Sequence, residues 1–493
     1  MNKKALIFLL AFTAVSFDLL AQQAVRKYSF NEVLQIARVQ SPMAVSARHR
    51  FRGSYWEYRT YKAGFLPTLS LSTVIPDLNR SIDRITLPDG SDAFVERKLI
   101  NSSANAELSQ NIFFTGGNIY MNSSLQRIDL LGNTKSTSYL SYPVNIGIRQ
   151  PINGYNEFKW QKRIEPIKYE AAKLTYIQAL ESVTLRAVSY FFDLALAQRN
   201  LEITRINYSN ADTLYQIAAG RYQLGTIAEN ELLQMELSYL NAGTALNQAQ
   251  IDLQVKRFQL NSFLGLNQDE QIELLIPLEI PEVTVDLARA LDEAWKNNPD
   301  VLARQQQLLN ADKALAQAKS EKGLNATLTA SFGLSQRSDK FNELYMDPQD
   351  QERVRLGLEI PILDWGLARG RYKMAQSAQE LAKTNVQQAE MDFQQEVLLE
   401  VMQFNLQDDQ LIIAAKADTI ANNRYEVTKQ RFLIGRISVL DLNDALASKD
   451  MAARAYVSAL RNYWTYFYNL RSLTLYDWLN DVPLQENFEA LLQ

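Results

Sequence analysis

Leu324 to Ser335 reads LNATLTASFGLS. Leu324, Ala326, Leu328, Ala330, Phe332 and Leu334 alternate with Asn, Thr, Thr, Ser, Gly and Ser. That period of two predicts a strand with one apolar and one polar face. Glu352 to Ile360 repeats the pattern, with Val354, Leu356, Leu358 and Ile360 on one side and Arg353, Arg355, Gly357 and Glu359 on the other. Earlier in the chain, Leu69, Leu71 and Thr73 mark one strand, and Val144, Ile146 and Ile148 mark another. Two more are expected near Ala104 to Ile112 and Ile119 to Leu125, joined by the turn Thr115-Gly116-Gly117.

The rest of the pattern has a period near 3.6. Long helices are expected from about Glu157 to Ala219 and from about Gly366 to Leu433, with Pro166 as a start or kink in the first. At 1.5 Å per residue each is a rod of about 100 Å, far beyond an ordinary globular helix. In the second, Ala375, Ala378, Ala382, Val386, Ala389, Phe393, Val397, Val401 and Phe404 form one apolar stripe. A mean step of about 3.6 predicts a nearly straight rod. The other faces are rich in Gln, Asn, Lys and Glu, which predicts water along them. Shorter helices follow at about Thr226 to Leu264 and Ser438 to Leu475.

The chain is written twice. YSFNEVLQIARVQSP from Tyr28 matches VDLARALDEAWKNNP from Val285, each with a capping-type residue, Ser29 or Asp286, and a closing Pro. GIRQPINGYNE at Gly147 matches GLEIPILDWGL at Gly357, and RYQLGTIAENELLQ at Arg221 matches RFLIGRISVLDLNDA at Arg431. A tandem duplication is therefore expected. Residues 22–284 form the first repeat, with strands in about 65–150 and a helical hairpin in about 157–264. Residues 285–478 form the second, with strands in about 324–361 and a hairpin in about 366–475. Residues 479–493 are a tail. The first copy carries about 47 extra residues between Pro42 and Gly147, room for an added hairpin either inside or outside a strand wall.

Strands of 9 to 12 residues with one apolar face suit a membrane β-barrel around a wet lumen. Such a barrel must close, because lipid cannot satisfy an open edge. The smallest kind needs about eight strands, more than the four to six expected per chain, so closure calls for several copies. Three chains of four would make about twelve. Tyr142, Tyr155, Phe158, Trp160 and Trp365 gather at strand-to-helix junctions, as an interfacial girdle would, or as a buried helix–sheet core would.

At the N-terminus, Lys3 and Lys4 precede an apolar run from Ala5 to Phe17 and a small residue at Ala21. That predicts an export signal over residues 1–21. No later segment is a long uninterrupted apolar run of the kind a transmembrane helix needs. The net charge of −4 gives no basic patch for nucleic acid. With no cysteine, disulfides and thiolate metal sites are excluded. His49, the only histidine, stands between Arg48 and Arg50 with no acid pattern beside it, and reads as a surface residue. No nucleotide or cofactor fingerprint and no catalytic triad order is present, so no cofactor is expected and the chain reads as a non-enzyme. A rival with the same rods is an exported coiled-coil scaffold or adaptor in the periplasm. It accounts for the helices but not for the strands.

The duplicated helix–strand–helix plan, LSQNIFFTGG at Leu108, GIRQPINGYN, LEIPILDWG at Leu358 and above all the pair RYQLGTIAE and RFLIGRISVLDLNDA resemble the TolC family of outer-membrane efflux ducts. The likeness covers nearly all of the chain after the export signal. It implies a mainly α protein with a membrane β-barrel, a homotrimer whose twelve-stranded barrel in outer-membrane lipid continues into a long α-helical barrel in the periplasm. It implies partnership with a periplasmic adaptor and an inner-membrane transporter, exporting drugs, metals or proteins. By the same resemblance, the two Arg-aromatic-x-x-Gly turns form the periplasmic aperture. Gly225 and Gly435 permit the reversals. Asp441 and Asp444 match the acidic ring, Glu231 matches the corresponding acid of the first copy, and Phe432 matches an aromatic gate residue. Ile437 stands where a basic residue is frequent, with Arg436 one position earlier as the available substitute. The first-turn position of Asp441 and Glu231 also suits the helix dipole.

Overall fold

The structure, a computed structural model, describes residues 26–131, 135–152, 154–268, 270–277, 280–434 and 436–492. The expected export signal lies outside them, and so does Gly435. The chain divides into two compact units. One takes the chain up to Arg52, Ala172–Val301 and Met391–Gln493; the other takes Gly53–Ala171 and Leu302–Glu390. Each unit draws on both halves of the sequence.

The element order runs the same way twice. Helices α1 (Phe30–Gln40) and α2 (Pro42–Ala63) lead to strands, and then to α3 (Glu157–Gln223) and α4 (Glu229–Leu264). Helices α5 (Leu287–Asn297) and α6 (Pro299–Glu321) lead to strands, and then to α7 (Leu367–Asn405), α8 (Gln407–Leu433) and α9 (Val439–Thr474). The expected caps are in place. Ser29 and Glu32 form a reciprocal capping box on α1, and Asp286 Oδ1 accepts from the Arg289 N–H on α5. The helix α3 contains 67 residues, Pro166 among them.

Its counterpart differs. The expected single rod from 366 to 433 is interrupted at Leu406. Next to the interruption, the Asn405 side chain bonds both the N–H and the C=O of Val285, at 3.1 and 3.0 Å.

The apolar stripe of α7 is buried at Ala382, Val386, Phe393, Val397, Val401 and Phe404. The opposite face holds a surprise. Leu399, Leu406, Ile413, Ile420, Val427 and Ile434 recur every seven residues and all are exposed. On α4, Leu233, Leu237, Leu240, Ile251, Val255 and Phe258 are exposed as well. The outer faces are rich in Gln, Asn and Lys as expected, but apolar seams that the sequence reading did not mark run among them, exposed among the described residues. In the first unit, Phe30, Phe191, Trp464, Tyr463 and Phe404 build an aromatic core, with centroid separations of 5.2 Å for Phe30–Phe191 and 4.8 Å for Phe30–Trp464. A small parallel sheet that the sequence did not announce, β1 (Arg26–Ser29) with β6 (Ile272–Leu275), belongs to the same unit.

The second unit holds the large sheet. Its strands β2 (Thr68–Thr86), β3 (Asp92–Ile112), β4 (Gly117–Leu130), β5 (Ser136–Pro151), β7 (Asn325–Ser338) and β8 (Gln349–Glu359) lie in that order, each antiparallel to the next. There are six strands in one sheet, not the four behind the expected total of twelve, because the extra hairpin of the first half is paired into that sheet. Leu69, Leu108, Met121, Ile146 and Phe332 are directly registered across five strands, and Val354, Leu356 and Leu358 continue that face on β8. All are exposed, Leu69 to 74% and Val354 to 77%. The other face is polar. Asn145 donates to Asn122 at 2.8 Å, and Asn122 donates to Asn105 at 3.2 Å, an amide ladder across three strands.

Candidate functional site: the paired helix turns

Each long helix reverses through the same backbone device. The Thr226 N–H reaches the Arg221 carbonyl at 3.0 Å, and the Arg436 N–H reaches the Arg431 carbonyl at 3.0 Å. In the first turn Gly225 has φ +67° and its N–H bonds the Tyr222 carbonyl at 2.9 Å. These are the two bonds of a Schellman motif, whose left-handed position favours Gly. The two turns also touch each other. Arg221 Nη2 donates to the Leu433 carbonyl at 3.1 Å, and the guanidinium carbon lies 5.9 Å from the centre of the Phe432 ring.

The predicted residues separate here into distinct environments. Asp441 and Ser438 form a capping box on α9: Ser438 Oγ donates to the carboxylate at 2.7 Å and accepts from the Asp441 N–H at 3.2 Å. The bond from Ser438 Oγ, then the one from its backbone N–H, then the nearby Arg424 charge hold the Asp441 carboxyl below the usual range. Asp444, one turn on, is ion-paired with Arg424 of α8. Glu231 has no such cap, because Ala228 stands at the N-cap position where the second copy has Ser438. Glu231 instead lines a cavity of about 350 Å³ together with Arg221, Met235, Phe432 and Ile437.

Phe432 is buried, packed with Tyr425, Leu442 and Ala445, and Ile437 packs against the same cluster. An occluding role for this ring would require it to leave that packing. Tyr425, in the same cluster, has its phenol pushed up to about 12 by burial, with Glu426 and Asp450 adding to the effect. Arg436 and Gly225 are exposed. The structure thus brings Glu231, Phe432 and Ile437 to one cavity and puts Asp441 and Asp444 on the first turns of α9.

Arg424 was not among the expected site residues. The signal was available: Arg424 and Asp444 stand at equal distances on either side of Ile434, so a tight hairpin there sets them face to face. The matching positions of the first copy, Leu214 and Gln234, carry no charge, so the pair belongs to the second turn alone.

The family model of outer membrane efflux proteins matches residues 33–266 and 290–474. The chain belongs to that family. No curated protein matches it in sequence. Among solved structures it resembles the CmeC outer membrane channel of Campylobacter jejuni, with TM-score 0.66 and 16% identity over 94% of this chain and 88% of that one. It resembles the outer membrane protein VceC of Vibrio cholerae, with TM-score 0.62 and 14% identity over 90% and 95%. It also resembles the open state of the MtrE outer membrane channel of Neisseria gonorrhoeae, with TM-score 0.58 and 15% identity over 90% and 88%. At such identities the likeness is one of fold. The efflux-family chain is thus mainly helical with one large sheet, as those channels are.

Proposed function

We infer that this efflux protein is the exit duct of a tripartite efflux or type I secretion system. Three copies close their sheets into a barrel in the outer membrane, and their helices carry the hollow into the periplasm. An inner-membrane transporter and a periplasmic adaptor deliver the cargo, and the duct itself is passive. One observation carries this reading: large apolar side chains lie exposed on one face of all six strands, five of them in one registered row, and the other face carries a polar amide ladder. A soluble scaffold would expose that row to water, whereas a bilayer covers it. The apolar seams on α4, α7 and α8 favour self-association, since a second copy covers them without leaving a water-exposed stripe. At the far end, six helix turns then ring the aperture, with Asp441, Asp444 and Glu231 as its acids and Arg436 beside them, and Gly225 and Gly435 as the pivots.

The purified chain in detergent is expected to run as a trimer by native mass spectrometry and to conduct ions in planar bilayers. A monomer that dissolves without detergent and passes no current would refute the reading.

A further inference from the structure

Among the described residues, the six-stranded sheet stops at two unpaired edges, the outer sides of β2 and β8. Neighbouring strands are antiparallel throughout, so with an even number of strands the two edges run in opposite directions. An edge that meets the opposite edge of an identical copy pairs antiparallel, and a rotation that repeats this contact closes a ring. We propose that β8 of each copy pairs with β2 of the next, so that the added hairpin is part of the lipid-facing wall. With three copies, the number taken from the reading above, the wall has eighteen strands.

Three observations support the full membership of β2 and β3 beside β4 and β5. Leu69 on β2 and Leu108 on β3 stand in the same registered row as Met121, Ile146 and Phe332, so lipid that meets one meets all. The turn between β3 and β4 is clamped at the level where the helices begin and end. Asn156, just before α3, donates to the carbonyls of Phe113 and Phe114 at 3.0 and 3.1 Å, and Asn111 donates to the Gly64 carbonyl, just after α2, at 3.2 Å. Phe65 packs edge-on against both Phe113 and Phe158. The lower ends of β2, β3, β4 and β5 therefore share one level, which an arm projecting outside the wall would not do. Finally, β2 pairs with β3 from Thr68 to Thr86, beyond the top of β4. Its outer edge in the apolar zone is a row of backbone groups that hydrocarbon leaves unsatisfied unless another strand covers it.

The consequence is a wider exit. At equal strand tilt, diameter grows with strand number, so this mouth is about half as wide again as one of twelve strands. The amides of Asn101, Asn105, Asn118, Asn122, Gln126 and Asn145 would line it, and most of them bond one another.

The chain has no cysteine, so crosslinks can be introduced one pair at a time. Ser70→Cys on β2 is combined in turn with Arg353→Cys, Arg355→Cys and Gly357→Cys on β8, all on the polar face. The same three β8 changes are combined with Ser124→Cys on β4. Thr329→Cys with Arg355→Cys, registered partners within one chain, reports whether oxidation proceeds in the assembled wall. A disulfide needs Cα atoms within about 7 Å, so only one or two registers can link.

Loss of the monomer band to a covalent trimer in at least one Ser70 register, reversed by reductant, is the expected result. Covalent trimers from the Ser124 registers would overturn the proposal, because β4 would then be the closing edge and β2 and β3 would lie outside a twelve-stranded wall. Intact trimers by native mass with no inter-chain link in any Ser70 register would overturn it too. A covalent ladder from Ser70 that closes at another number would uphold the β8–β2 seam and refute the trimer reading.

Discussion

Arg424 and Asp444 face each other across the hairpin of α8 and α9 and form an ion pair, one turn beyond the Ser438–Asp441 capping box. Both acids of the second turn thus already have a partner in their own chain. Asp444 is in direct contact with the opposing charge, whereas Asp441 is bonded by a hydroxyl and an N–H and feels Arg424 only through space. The net field at a ring of such turns depends on Arg424 as much as on the acids.

Replacing Arg424 with Gln removes that opposing charge. Cation selectivity is expected to rise, while Asp441→Asn with Asp444→Asn lowers it and weakens block by multivalent cations. Reversal potentials under a salt gradient in planar bilayers decide the matter. Equal potentials for all three proteins would exclude these groups from the conducting path. Stability should hardly change with Arg424→Gln, since exposed pairs contribute about 0.2–1 kcal/mol.

Ile413 and Ile420 sit in the exposed seven-residue seam of α8. If a second copy covers them, Ile413→Lys with Ile420→Lys removes about 1.5–3 kcal/mol of apolar burial per side chain at each contact. The trimer fraction at a fixed detergent and protein concentration should fall, with helix content retained. Native mass spectrometry beside far-ultraviolet circular dichroism measures both.

Glu181 is fully buried between Arg38, at 2.5 Å, and Arg471, at 2.9 Å. Those arginines reach on to Glu486 and Asp477. The group joins α1, α3, α9 and the C-terminal tail. Glu181→Ala leaves two part-buried cations, each with one acid fewer, and a loss of about 3 kcal/mol, the lower end for a broken buried pair, is expected. Thermal denaturation of the variant checks this. Arg38→Met, which leaves Arg471 to neutralise Glu181, should cost less.

Glu400 lies part-buried on α7, and burial, opposed by a hydrogen bond from Asn469 and assisted by Glu396, pushes its carboxyl up to about 7. Between the unfolded value near 4.5 and 7, the folded chain holds a proton that the unfolded chain has lost. Stability contributed by this group is therefore present at low pH and declines as pH rises through that window. Melting temperatures of the wild type should drop from pH 5 to pH 7.5 relative to Glu400→Gln, which has no such proton. Parallel curves for the two proteins would contradict this.

Much of the architecture could be read from residue patterns. The alternation in LNATLTASFGLS is β7, and the repeated Arg-aromatic-x-x-Gly turn ends α3 and α8, because a strand's faces and a Gly-terminated helix are local matters of spacing and backbone freedom. The upper half of β2, DLNRSIDRIT, was not legible. It mixes charged and apolar residues on both sides, with no clean alternation, and is paired with β3 along its length. Nor was β1, whose four residues pair with β6 across most of the first repeat. Nor was the contact beside the interruption at Leu406, where Asn405 bonds Val285, a residue far away in sequence.

The aperture divides along the same line. Spacing alone put Asp441 in the first turn of a helix after Ser438, and it put two equivalent turns in one chain. Only the folded hairpin decided that Phe432 is packed rather than free, that Asp444 is paired with Arg424, and that Glu231 shares a cavity with the opposite turn. Likewise, sequence determined that the strands have an apolar face, and tertiary pairing decided how many of them share it. Periodicity records which way each side chain points along its own element. Which element lies opposite is a sum of long-range contacts, and no window along the chain contains both partners.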